Sequence, residues 1–135
     1  MFDEKDKSSF KYWFAHWCSF NMTALNLNAW KFKYLFHDIE KPWLKLFCGD
    51  YKKVRKWHRE HNRHHWTYKD KNNLDYEAMV IDWESSRYTK KDSPLTAREL
   101  YEYTITTRLE NGTVSKEIVE LLKNNIPQVL KKLGL

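Results

Sequence analysis

The stretch His58-Arg-Glu-His-Asn-Arg-His-His-Trp66 holds four of the chain's six histidines. Imidazoles at this density can bind a divalent transition metal, form a solvated helix face, or contribute to a phosphate-binding surface. On a continuous helix His58, His61 and His65 lie within about 60° of one another, while His64 points about 120° away from His58. His61 and His65, at i and i+4, can then share one ion. His58 and His65 stand about 10.5 Å apart along such a helix, long for one ion and comfortable for two.

Three further positions carry the same chemistry in chain order: His16, the dipeptide His37-Asp38, and Asp82. Each alone reads blandly. A single histidine beside an aromatic stripe is commonly a hydrogen-bonded core residue, and Asp82 has many bases to pair with. Arg55, Lys56, Arg59, Glu60 and Arg63 around the cluster also fit a solvated face. The ordered series of His, His-Asp, His cluster and Asp outweighs these readings, because helices in a bundle converge on their apolar faces. Converging imidazole nitrogens and carboxylate oxygens make a mixed ligand set suited to Zn, Mn, Fe, Co or Ni. An ion so bound lowers the pKa of its water toward neutrality.

Helices are needed to bring these residues together. Phe10, Trp13, Trp17, Phe20, Ala24 and Leu27 recur at spacings of three and four and predict a first helix with His16 at the flank of its stripe. Trp30, Tyr34 and His37 predict a second, ended or kinked before Pro42. A third runs from Tyr51 through Val54, Trp57 and the histidines. Asn72 and Asn73 can cap a fourth carrying Tyr76, Met79, Val80 and Trp83. Thr96-x-x-Glu99 is a capping-box pattern opening a fifth, and Asn111-Gly112 marks a turn. From Ser115 the apolar residues predict two short amphipathic pieces. The expectation is an all-α, single-domain bundle of six or seven helices over residues 1–135, with a motif-bearing core at about 10–90 and a helical cover at 94–135.

Composition agrees with helices. Aromatic residues make up 16% of the chain with seven Trp, against three Gly and three Pro, a poor balance for a turn-rich β fold. Cys18 and Cys48 form no CxxC pair, which points to a reducing compartment. No run approaches the roughly 20 apolar residues of a membrane span, so the expectation is a cytoplasmic protein with no membrane partner. The net charge of +6 suits a phosphate-rich partner.

The order His16, His37-Asp38, Asp82 resembles the H…HD…D pattern of the HD-domain metal-dependent phosphohydrolases, an all-helical superfamily. "FHDIEKPW", "HREHNRHHW" and "MVIDWE" more closely resemble an uncharacterised group of small bacterial and phage proteins within or near it. That group carries an HD-x-x-K element, here His37, Asp38 and Lys41. It also carries an H-x3-N-x-H-H-W element, here His58, Asn62, His64, His65 and Trp66, and a late D-W element, here Asp82 and Trp83. The resemblance covers roughly residues 16 to 90.

The resemblance implies hydrolysis of phosphomonoesters or phosphodiesters, often nucleotides, with one or two divalent ions. His16, His37, Asp38 and Asp82 would hold the first ion, and His58 with His64 or His65 a second. Asp38 would polarise the attacking water, and Lys41 with Arg59 or Arg63 would neutralise charge on the phosphoryl oxygens, with a base stacked on Trp43 or Trp66. "HDIEK" also resembles the "HDIGK" of cyclic-dinucleotide phosphodiesterases, but Glu40 replaces the glycine and no GYP-like element follows. A straight helix turns His64 away from the metal face; a helix ending near Asn62 reconciles wheel and family. The alternative is a non-catalytic module that keeps the fold and binds a protein or nucleic acid through "KKVRK". No known nucleic-acid-binding motif is present, and homodimerisation is compatible with so many aromatics.

Overall fold

The first helix, α1 (Phe10–Asn26), buries Tyr12, His16, Phe20 and Ala24, four positions spaced by four residues along one face. Its aromatic line behaves differently from the sequence expectation. Phe10 and Phe14 are exposed, and Trp13 and Trp17 are half-buried. His16 therefore lies within the buried stripe rather than at its flank. The two tryptophans lie over the next segment, where their indole N–H groups find backbone carbonyls.

The computed structural model describes residues 10–39, 41, 43–44, 49–61, 65, 71–90 and 94–135. After α1 come a short 3-10 helix (Phe32–Phe36) and four more α-helices: α2 (Tyr51–His61), α3 (Asn73–Ser86), α4 (Ala97–Tyr103) and α5 (Lys116–Leu133). A π-helical turn, Thr104–Arg108, continues α4. The class is all-α, with five α-helices and no β-strand among the described residues, where six or seven helices were expected. No described helix is long and apolar enough to cross a membrane.

Two expectations fail. The second helix is five residues of 3-10 helix, closed by His37 N–H on Tyr34 O, and the Leu35 and Tyr34 carbonyls also accept from Trp17 and Asn21 of α1. The C-terminal pieces are one helix of 18 residues, which passes through Pro127. Proline removes one backbone donor there, but Ile118, Leu122, Ile126, Leu130 and Leu133 form an unbroken buried line on both sides of it. Gly134 closes the helix in the left-handed region, at φ 73°.

Helix starts follow the sequence. Asn72 accepts from Asp75 N–H and Asp75 returns a bond to Asn72 N–H, a complete capping box. Thr96 accepts from Glu99 N–H, but Glu99 bonds to the Thr96 hydroxyl instead of its backbone, so only half the expected box forms. The buried Glu84 of α3 adds a second cap by accepting from Ala97 N–H at 2.8 Å, which places negative charge at the positive end of α4.

The central helix is α3, buried on most of its surface from Asp75 to Ser86, the acidic Asp75, Glu77 and Glu84 included. It packs on α1, α4 and α5. One cluster of buried residues runs from Phe20 through Met79, Val80 and Ile81 to Leu122, Ile126 and Leu130.

The buried Glu77 carboxylate of α3 accepts from Lys31 at 3.0 Å and from Lys132 of α5 at 2.9 Å. Burial works to raise its pKa, and the two ammonium groups outweigh that and lower it. A lowered folded-state pKa means stability that is present above the ordinary glutamate range and lost as pH falls through the folded value. Glu77→Gln is therefore expected to cost about 1–2 kcal/mol at pH 7, with the difference from wild type closing below pH ~4; urea unfolding at both pH values measures it.

Candidate metal centre

Three side chains of α1, at four-residue spacing, fix the chain that carries His37 and Asp38. Asn21 donates to Tyr34 O at 3.1 Å, Trp17 to Leu35 O at 2.9 Å and Trp13 to Asp38 O at 2.8 Å. Trp30 in turn donates to Asn21 Oδ1 at 2.9 Å, which fixes the amide. The segment that follows the 3-10 helix is thus held along the length of α1. Asp38 adopts φ +55°, in the left-handed region, which aspartate tolerates at some cost. The His37 ring stacks on Phe20, with centroids 3.7 Å apart and planes 4° from parallel.

From these supports four ligand groups meet. His16 Nε2, His37 Nε2 and Asp82 Oδ1 lie 3.0, 3.1 and 3.3 Å from one another. Asp38 Oδ2 lies 3.6 Å from His16 Nε2 and 3.5 Å from His37 Nε2. Donors about 2.1 Å from a common ion are separated by about 3.0 Å at right angles and about 3.4 Å in a tetrahedron. The separations among His16, His37 and Asp82 fall in that range, and those to Asp38 exceed it by about 0.1–0.2 Å. Two imidazole nitrogens facing each other and the same carboxylate oxygen also fit an ion better than protons. An ion accepts every lone pair, whereas a shared proton satisfies two atoms at a time.

The other Asp38 oxygen faces a second group. Its Oδ1 is 2.9 Å from Nε2 of His58, which is only 1% exposed. The His65 ring meets His58 edge to face at 4.5 Å between centroids. Ligand atoms of Asp38, His58 and His65 all lie within 4.8 Å of one another, as do those of His16, His37, Asp38 and Asp82. A buried His/Asp group that could hold a metal ion is therefore present, with Asp38 common to both sets.

The straight-helix arithmetic for the histidines does not hold. The described part of α2 runs to His61, and the His65 ring lies against that of His58, with centroids 4.5 Å apart. His61, expected to be able to share an ion with His65, belongs to neither candidate ligand group among the described residues. It is exposed, stacks on Trp57 and contacts Trp57 O through Nδ1 at 2.8 Å. Asn62, Arg63, His64 and Trp66 lie outside the described residues, as do Glu40, Pro42 and Cys48. Cys18 is a free thiol.

Charge surrounds these groups on the solvent side. Lys41 Nζ is 2.9 Å from Asp38 Oδ2. A cavity of about 120 Å³ opens above the two carboxylates, and Lys41 and Arg59, both expected at the site, line it with the ligands. Burial alone would raise the pKa of Asp38, yet His37, Lys41 and His58 hold it well below the ordinary carboxylate range. Asp82 is likewise held low against burial, by hydrogen bonds and charge from His16 and His37.

Sequence reasoning did not assign Tyr12, Arg55, Ser86 and Lys90, which also line the cavity. The signal was helical spacing. Tyr12 is one turn before His16, Arg55 three residues before His58, and Ser86 one turn after Asp82. Lys90 follows Ser86 by another turn, its N–H donating to Ser86 O at 3.0 Å. No protein-family model, curated protein or solved structure matches the chain.

Zn or Mn binding at this centre is expected to raise the unfolding free energy by about 2.7 kcal/mol at a hundredfold excess over Kd. Calorimetric scans should show that gain lost in His37→Ala and Asp82→Asn. Trp13→Phe, which deletes the donor to Asp38 O, is expected to cost about 1 kcal/mol and to weaken metal affinity measured by chelator competition.

Proposed function

We propose that the protein is a metal-dependent phosphohydrolase acting on a nucleotide or another phosphoester. One observation carries the reading: the Asp38 carboxylate turns one oxygen toward each of two histidine-containing groups, directly below a cavity lined by lysine and arginine. The order His16, His37-Asp38, Asp82 and its resemblance to the HD-domain phosphohydrolases support the same reading.

His16, His37, Asp38 and Asp82 would hold one ion, and Asp38, His58 and His65 a second. A divalent ion there supplies Lewis acidity and brings the pKa of water into the neutral range. The protein's own residues do the rest. The low-pKa carboxylates stay ionised and orient the ligand set. Lys41, next to Asp38, and Arg59 on α2 neutralise charge that builds on the phosphoryl oxygens in the transition state. Trp43, exposed beyond Lys41, offers a face on which a base can stack.

Asp38→Asn tests this with little disturbance of the backbone, because asparagine also tolerates a positive φ. Its kcat for phosphate release is expected to fall on the order of 10³-fold, with the circular dichroism spectrum unchanged. A folded, metal-loaded wild-type protein that turns over no phosphomonoester, phosphodiester or nucleotide would sink the reading.

A further inference from the structure

The cavity above the candidate metal centre has a charge pattern that is more specific than phosphate binding. Its floor holds two carboxylates, Asp38 and Asp82, both in contact with imidazoles. Among the described residues its walls hold four cations, Lys41, Arg55, Arg59 and Lys90. These come from three separate stretches of chain.

Helical spacing places the cations relative to the ligands. On α3, Asp82, Ser86 and Lys90 follow one another at four-residue intervals, and the backbone bond from Lys90 to Ser86 continues the turn beyond the helix. All three line the cavity. On α2, Arg55 and Arg59 flank His58 at three residues before and one after. About 120 Å³ is room for one phosphate group and a few waters.

We propose that this cavity selects a terminal phosphate dianion, a phosphomonoester or the end of a polyphosphate, over a monoanionic phosphodiester, and that Arg55 and Lys90 set the preference. The inference rests on the phosphohydrolase reading of the site and narrows its substrate class. A dianion presents three equivalent terminal oxygens, enough to engage a cation from each wall. A diester has two unesterified oxygens and half the charge, and its second substituent needs room in the same cavity. Arginine at this position gives forked hydrogen bonds to two oxygens at once, and lysine a point charge.

The test is equilibrium binding, measured by titration calorimetry on zinc-loaded protein at pH 8 with inorganic phosphate and with dimethyl phosphate. Wild type is expected to bind phosphate at least about tenfold more tightly. Arg55→Gln and Lys90→Gln should each weaken phosphate binding about five- to tenfold and dimethyl phosphate binding about twofold or less. Zinc content is expected to stay unchanged, because neither residue is a ligand. Comparison with the variants separates the cavity's preference from that of zinc itself. Equal affinity for the two anions, no phosphate binding, or variants that match wild type overturns the proposal.

Turnover distinguishes it from the broader reading. Phosphate selectivity that depends on Arg55 and Lys90, in a protein that hydrolyses neither p-nitrophenyl phosphate nor bis(p-nitrophenyl) phosphate, upholds the selection and removes the catalysis. Faster hydrolysis of the diester overturns the selection and leaves the catalysis standing.

Discussion

The Asp38 carboxylate is buried, sits in a left-handed backbone turn, and directs its two oxygens to two different histidine groups. The rest of the site depends on that turn. A positive φ costs a non-glycine residue on the order of 1 kcal/mol, and the fold offsets the cost with specific contacts. Trp13 holds the Asp38 carbonyl, and Trp17 and Asn21 hold the carbonyls just before it. A line of polar tips along α1, spaced by one helical turn, thereby fixes a segment with only a short 3-10 helix of its own. Rigidity at His37 and Asp38 is borrowed from α1.

The same helix supplies His16, so the element that holds the His37-Asp38 segment also carries a ligand. Helix α3 completes the group with Asp82 and is anchored to α1 through Ser19, whose hydroxyl donates to Ser85 O at 2.8 Å. Because α3 is packed on α1, α4 and α5, the position of Asp82 is tied to the main apolar core. The C-terminal helix contributes none of the candidate ligands, yet Leu122, Ile126 and Leu130 pack in one cluster with residues of α3, and Lys132 pairs with Glu77. Its role in the site is to hold α3 in place.

Much of the candidate centre was legible in the sequence because ligand types are rare and their order was informative. His16, His37, Asp38 and Asp82 were expected to converge and do so. Helix starts were legible at Asn72 and Thr96, where a short polar side chain precedes the first turn. Periodicity misled where local chain geometry overrode it. It placed His65 about two helical turns from His58, whereas the two rings meet; His65 lies outside the described helix α2. It read α5 as two short pieces, whereas one unbroken apolar line carries the helix through Pro127 and is worth more than the one lost hydrogen bond. It also placed the whole aromatic line of α1 in the core, although Trp13 and Trp17 have polar tips that need partners at the core's edge.

The cavity-lining residues show a different limit. Arg55, Ser86 and Lys90 are ordinary residue types, and nothing in their identity separates them from the other surface bases and hydroxyls. They become informative only after His58 and Asp82 are fixed as reference points, because helical spacing then places each beside a ligand. Charge has the same property. A net +6 spread over 135 residues says little about a partner, whereas four cations around two ionised carboxylates create a local field. In a partly enclosed cavity that field is screened less than on the open surface. Recognition of an anion is therefore carried by the arrangement of charge that the helices impose, and the chain's overall composition is a weak guide to it.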